Sequence, residues 1–264
     1  MRARGGRACS SSASRVRWLR YLYRVPLLAW HVVVHLPVVL LLMLPPWGRI
    51  SVQGEPLEHR VIRLWQGGLM RVFGFRMRRS GTPLPGATMF VANHVSWVDI
   101  IALHSQRMMG FVAKREIAGW PLIGWMASRG GTIFHLRGNT ESLDGVMQQM
   151  LVRLREGRSV GVFPEGRTRD GSEVGPFHAR IFTAAVEGAV PVQPVALRYG
   201  SDGDAQRVVA FRPGEHFFGN FIRLLGEPAR DAEACFLEPI PPGSADGRRR
   251  IAELARERIV AAMG

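Results

Sequence analysis

The chain has 264 residues, 47% of them apolar, and carries a net charge of +14. That length suits one sizeable domain with an appendage and falls short of two full domains, and the apolar share lets it build a packed core. Two cysteines, Cys9 and Cys235, exclude a disulfide framework and a metal site with cysteine spacing.

The charge is uneven. Residues 1–98 hold 14 arginines against two acids, Glu55 and Glu58, whereas residues 99–264 hold 21 basic and 19 acidic residues. A basic N-terminal third suits either nucleic acid or an anionic membrane. Residues 26–47, "PLLAWHVVVHLPVVLLLMLPPW", decide for the membrane and against nucleic acid, because they are 22 residues without a formal charge. About 20 such residues cross a bilayer core. Pro37 in mid-run, with His31 and His35, favours a bent or re-entrant helix over a straight span. Arginines on both flanks leave the orientation of a simple span undecided. Residues 60–79, "RVIRLWQGGLMRVFGFRMRR", read as a basic amphipathic segment lying in the interface. The expectation is a monotopic helical hairpin, with 1–24 as a basic tail, 25–80 as the membrane-associated helical segment and 81–264 as the main domain.

"RSGTPLPG" (79–86) is a turn-rich link, and after it strand and helix patterns alternate. "ATMFVAN", "GFVAK", "GTIFHL", "SVGVF", "VQPVAL" and "RVVAF" read as strands. Helices are expected at 97–106, within "REIAGWPLIGWMASRG", at 140–155, at 178–188 and in "IAELARERIVAAM". The alternation predicts an α/β fold: a single domain with a largely parallel or mixed sheet flanked by helices, preceded by an N-terminal hydrophobic membrane-anchoring helical segment.

In such sheets the turns after strands carry chemistry, and two stretches fall there. The first is "NHVSWVD", 93–99. On one straight helix His94 and Asp99 would lie about 140° apart and could not meet. With His94 in a loop and Asp99 in the first turn of the next helix, the carboxylate can fold back onto the imidazole and leave the other ring nitrogen free to take a proton. The alternative is a polar loop histidine followed by an aspartate that only caps a helix. A metal site on His94, Asp99 and His104 is a further option, though it lacks the usual compact ligand pattern. The second stretch is "FPEGRTRDG", 163–171, where arginines at a strand end suit phosphate or carboxylate. It lacks the glycine run and the Gly-Lys-Ser/Thr ending of a P-loop. "GRSVG" (157–161) matches a nucleophile elbow, but Ser159 follows a helix and opens a strand, the reverse of the required order.

Taken together these stretches resemble the glycerolipid acyltransferases, in particular the bacterial 1-acyl-glycerol-3-phosphate acyltransferases. "NHVSWVD" and "FPEG" are intact and 71 residues separate His94 from Glu165. "FVAKREIAGWPLIGWM", "GGTIFHLR" and "VPVQPVAL" are similar to the family's intervening and later segments, over roughly residues 60–200. The resemblance implies that His94 is the general base and Asp99 its orienting partner, with Asn93 and Ser96 ordering the loop. Glu165, Gly166, Arg167, Arg169 and Arg137 are implied to handle the acceptor's phosphate. This sequence departs from the family in placing Arg167, Thr168 and Arg169 after the glycine, and "GPFHARIF" where a lysine-rich stretch is usual. The implied reaction moves an acyl group from acyl-CoA or acyl-carrier protein to the sn-2 hydroxyl of lysophosphatidic acid, giving phosphatidic acid, without metal or cofactor. Another lysolipid acceptor, lyso-ornithine lipid among them, is the alternative; a lysolipid or thioester hydrolase and a non-catalytic adaptor are others. The implied location is the inner membrane, with the catalytic domain facing the cytoplasm, where the thioester donors are found.

Overall fold

The computed structural model describes residues 8–52, 54–120, 123–135 and 140–264. Helix α1 (Ala8–Trp30) runs through a π-helical turn at His31–His35 into α2 (Leu36–Leu42). Pro37 explains the wider turn, since it has no N–H to donate and its ring needs room in the preceding turn. A short two-stranded ribbon, β1 (Ser51–Val52) and β2 (Glu55–Pro56), then turns the chain back into α3 (Leu57–Val72). The two helical arms pack together through Val39, Met43, Val61 and Ile62. Nearby, the His31 ring stacks on Trp65 at 5.1 Å and lies over Gly68. A Cβ at Gly68 would come within 2.6 Å of that ring, so the crossing requires glycine. A helical hairpin is therefore present.

The remaining elements are β3 (Phe75–Ser80), β4 (Met89–Ala92), α4 (Val98–Gln106), β5 (Gly110–Lys114), α5 (Ile123–Arg129), β6 (Ile133–His135), α6 (Thr140–Arg155), β7 (Val160–Val162), α7 (Thr183–Glu187), β8 (Val192–Tyr199), α8 (Gln206–Val209), α9 (Phe217–Leu225), β9 (Arg230–Phe236) and α10 (Gly247–Met263). Seven strands form one sheet in the order β3-β9-β8-β4-β7-β5-β6. The five from β8 to β6 are mutually parallel, and the β9–β3 pair runs against them at one edge. Strand β4 is buried on both faces, as an interior parallel strand must be. Phe90 and Ala92 join the core beneath α3, α4 and α9, while Met89 and Val91 join the core beneath α6, α7 and α10.

Several expectations need correction. Residues 60–79, read as one basic amphipathic segment within a helical stretch, divide in two: α3 ends at Val72, and Phe75–Ser80 is an edge strand. "RVVAF" is not a strand, because Gln206–Val209 is a single helical turn. The segment 178–188 begins as a 3-10 turn at Ala179–Phe182 before α7. Strand β9 and helix α9 had no counterpart in the sequence reading.

The arginine-rich start of the chain also has a role that composition did not suggest. Arg17, Arg20, Tyr21 and Arg24 donate to the carbonyls of Arg223, Gly226, Ile222 and Leu225 respectively. Those carbonyls lie in the last turn of α9 and just beyond it, where cations are favourable. Arg24 is 2% exposed and also reaches the carbonyl of Glu227. These three arginines clasp α1 to the domain and are not free to face lipid.

Candidate active site

His94 lies in the loop that leaves β4, and Asp99 in the first turn of α4. Their side chains meet, His94 Nδ1 to Asp99 Oδ2, at 2.7 Å. Oδ2 also accepts the backbone N–H groups of Val95 at 2.7 Å and Ser96 at 2.9 Å, and Oδ1 accepts the Tyr199 hydroxyl at 2.6 Å. Asp99 is fully buried, and these donors compensate its lost hydration. Burial, with the Asp99 charge beside it, holds the Tyr199 hydroxyl well above its usual range, so it remains a donor.

Ser96 Oγ accepts from Val98 N at 3.2 Å at the start of α4. Asn93 binds both the N–H and the carbonyl of Leu197, tying the end of β4 to β8. The His94 ring stacks on Phe163 at 3.9 Å, and Phe163 stacks in turn on Phe111. Such a pair contributes about 0.5–1.5 kcal/mol and fixes the plane of the imidazole.

The second motif reaches the same place from β7. Glu165 is buried and has both oxygens committed: Oε1 accepts from His94 N at 2.8 Å, and Oε2 from Gly175 N at 2.8 Å and Arg169 Nε at 3.2 Å. Arg169 N closes the circuit on the His94 carbonyl at 2.8 Å. Burial pushes the Glu165 carboxyl up, against those donors. Glu165, expected among the phosphate contacts, uses these bonds to hold the two loops together. Beside it lies a cleft of about 400 Å³ lined by Glu165, Gly166, Arg167, Arg169, Pro176 and His178. Gly166 has a left-handed φ of 70°, and its Cα faces the His178 ring. Arg167 is exposed and without a partner among the described residues, whereas Arg169 is half-buried behind it. Arg137 lies outside the described residues.

Two other sequence candidates separate from this site. His104 does not join His94 and Asp99, since its Nε2 meets the carbonyl of Met109 at 2.9 Å in the core. Burial lowers its pKa to about 4. Ser159 is buried before β7 with its hydroxyl on the Gly86 carbonyl at 2.7 Å. Tyr199, Phe163 and Gly175 are residues of this site that the sequence reading did not single out, whereas His178 falls in the "GPFHARIF" stretch it noted and lines the cleft. Tyr199 ends β8, which extends two residues past the "VQPVAL" strand of the sequence reading.

The mixed α/β sheet thus presents a buried Asp-His pair and a basic cleft at its parallel strand ends, an arrangement chemically suited to base-assisted group transfer. The family model described as "Acyltransferase" matches residues 76–198. The chain is 37% identical over 202 residues to the lyso-ornithine lipid O-acyltransferase of Pseudomonas aeruginosa, covering 76% of each. It is 35% identical over 146 residues to the 1-acyl-sn-glycerol-3-phosphate acyltransferase of Neisseria meningitidis, covering 55% of this chain and 57% of that one. The fold matches that of the 1-acyl-sn-glycerophosphate (LPA) acyltransferase PlsC from Thermotoga maritima with a TM-score of 0.75 over 95% of this chain and 96% of that one, at 18% identity. The chain belongs to the acyltransferase family, whose relatives here are named as O-acyltransferases of lysolipids.

Proposed function

We propose that the protein is a membrane-associated lysolipid O-acyltransferase in which His94 is the general base. The observation that carries this is the 2.7 Å contact between His94 Nδ1 and Asp99 Oδ2, which commits Nδ1 and leaves Nε2 for substrate. Nε2 takes the proton of the acceptor hydroxyl as its oxygen attacks the thioester carbonyl. The tetrahedral adduct collapses, the C–S bond breaks, and the thiolate takes the proton from the imidazolium. The donor is acyl-CoA or acyl-carrier protein, and no acyl-enzyme is formed.

For the acceptor, lyso-ornithine lipid is the first choice. The relatives that match about three quarters of the chain carry that name, and the lysophosphatidate enzymes match only about half of it. An ornithine headgroup presents a carboxylate, and the guanidinium fork of Arg167 suits carboxylate and phosphate alike. That same property supports lysophosphatidic acid as the second reading. Parallel assays with both acceptors and one long-chain acyl-CoA test the choice: a kcat/KM at least about tenfold higher for lyso-ornithine lipid supports it. A preference for lysophosphatidic acid reverses the order.

The membrane assignment rests on the exposed apolar face of the first helical arm. Residues Val16–Leu42 are long and apolar enough to cross a bilayer. Yet the arm is clasped to α9 at one end and packed on α3 at the other, so the reading is a helix lying against the leaflet. The thioester donors place that leaflet on the cytoplasmic side of the inner membrane.

A further inference from the structure

A groove of about 960 Å³ lies between α1, α3 and β3, and it shares no lining residue with the cleft beside Glu165. Strand β3 is the sheet edge, and two strands separate it from β4. At about 4.8 Å per strand the groove is roughly 14 Å away across the sheet.

Five arginines line it, Arg24, Arg63, Arg71, Arg76 and Arg79, with no acidic residue among the lining. Three are already engaged. Arg24 binds backbone carbonyls after α9, Arg63 pairs with Glu55 at 2.9 Å, and Arg76 pairs with Asp231 at 2.7 Å. Arg71, near the end of α3, and Arg79, on β3, have no ion pair or hydrogen bond to any described side chain. Two free guanidinium groups around one concavity repel each other, and an anion between them removes that cost. Gly67 opens the floor, because a Cβ there would meet nothing closer than Ser105 at 4.0 Å. The lip is apolar: Leu64 is 70% exposed and Tyr23 51% exposed, and Tyr23 belongs to the same helix as the exposed Leu22 and Trp18.

We infer that this groove is a second anion site, which holds the phosphate-bearing headgroup of an anionic membrane lipid between Arg71 and Arg79. A planar fork of donors suits phosphate oxygens. The apolar lip, continuous with the surface assigned to the leaflet, selects a phosphate carried on acyl chains over one free in solution. The headgroup would fix how the domain is turned on the bilayer, so that the His94 cleft faces its lipid acceptor. The inference rests on the membrane reading above.

The test uses the full-length protein and two vesicle preparations, phosphatidylcholine alone and an equal mixture of phosphatidylcholine with phosphatidylglycerol. Co-sedimentation is measured for wild type, R71Q, R79Q, the double variant and R78Q. Arg78 neighbours Arg79 on the strand, but it is not part of the groove lining and pairs with Asp231. The double variant should lose about tenfold or more in affinity for the mixed vesicles and nothing for phosphatidylcholine, with R78Q within about twofold of wild type. Acyl transfer to detergent-dispersed acceptor should be unchanged in all, which also shows that each variant is folded. Equal losses from R78Q and R79Q would mean diffuse charge and overturn the site. Inorganic phosphate that abolishes mixed-vesicle binding, where chloride of equal ionic strength does not, would assign the groove to free phosphate instead. Wild type that binds both vesicles equally overturns the groove and leaves the membrane reading standing, and binding to neither removes both.

Discussion

The backbone N–H of His94 donates to Glu165 Oε1 at 2.8 Å, across 71 residues of sequence. The sheet accounts for that number. Strands β4 and β7 are neighbours with Val91 opposite Val162, an offset of the same 71 residues, so the register alone brings His94 level with Glu165. The two motifs are one structure, in which Glu165 holds the backbone of His94 in place. Glu165→Gln keeps one acceptor but turns an NH₂ group toward the donors of Gly175 and Arg169. It should lower kcat by about tenfold to a hundredfold through a displaced imidazole, with little change in KM for the donor. Steady-state kinetics on a variant with wild-type melting behaviour would check this.

Asp99→Asn tests the orientation of the imidazole. An asparagine cannot accept from the ring and from two backbone N–H groups at one nitrogen, so the ring loses the tautomer that frees Nε2. Loss of about 10³–10⁴-fold in kcat is expected. A variant with a tenth of wild-type turnover would show that Asp99 only starts the helix.

Tyr199→Phe removes the hydroxyl that satisfies Asp99 Oδ1 and leaves a buried carboxylate oxygen without a donor. The expected cost is about 1–3 kcal/mol of stability, read from urea denaturation, with a smaller effect on turnover than any change at Asp99.

Much of this site was legible in the sequence because its parts are local. The NHxxxxD spacing places a loop and a helix start, and β5 and α6 fall where the residue pattern put them. The pattern was weakest for short elements that tertiary pairing decides. "RVVAF" alternates like a strand, yet Gln206–Val209 turns once as a helix, with Gln206 bonded to the Leu197 carbonyl. "RDAEACF" has too few apolar residues to signal a strand, but it pairs on both sides, with β3 and β8. Tyr199 and Glu165 take their roles from partners 100 and 71 residues away, and no local pattern encodes that.

His104 gives a pH signature independent of catalysis. Burial lowers its folded-state pKa to about 4 from an ordinary 6.5, so the unfolded chain binds a proton that the folded chain refuses in that window. Stability is therefore full above about pH 6.5 and falls as pH drops toward about 4. His104→Gln should flatten that part of the profile in urea midpoints measured across the window. An unchanged slope would assign the loss to other groups.

The most direct test of the account compares wild type with His94→Ala, using a long-chain acyl-CoA and lysolipid acceptor while following thiol release and acylated lipid together. Wild type should release thiol and form acylated lipid in equal amounts. The variant should lose at least about a hundredfold in both, with unchanged melting and membrane binding. Turnover of the variant within a few-fold of wild type would contradict His94 as the base.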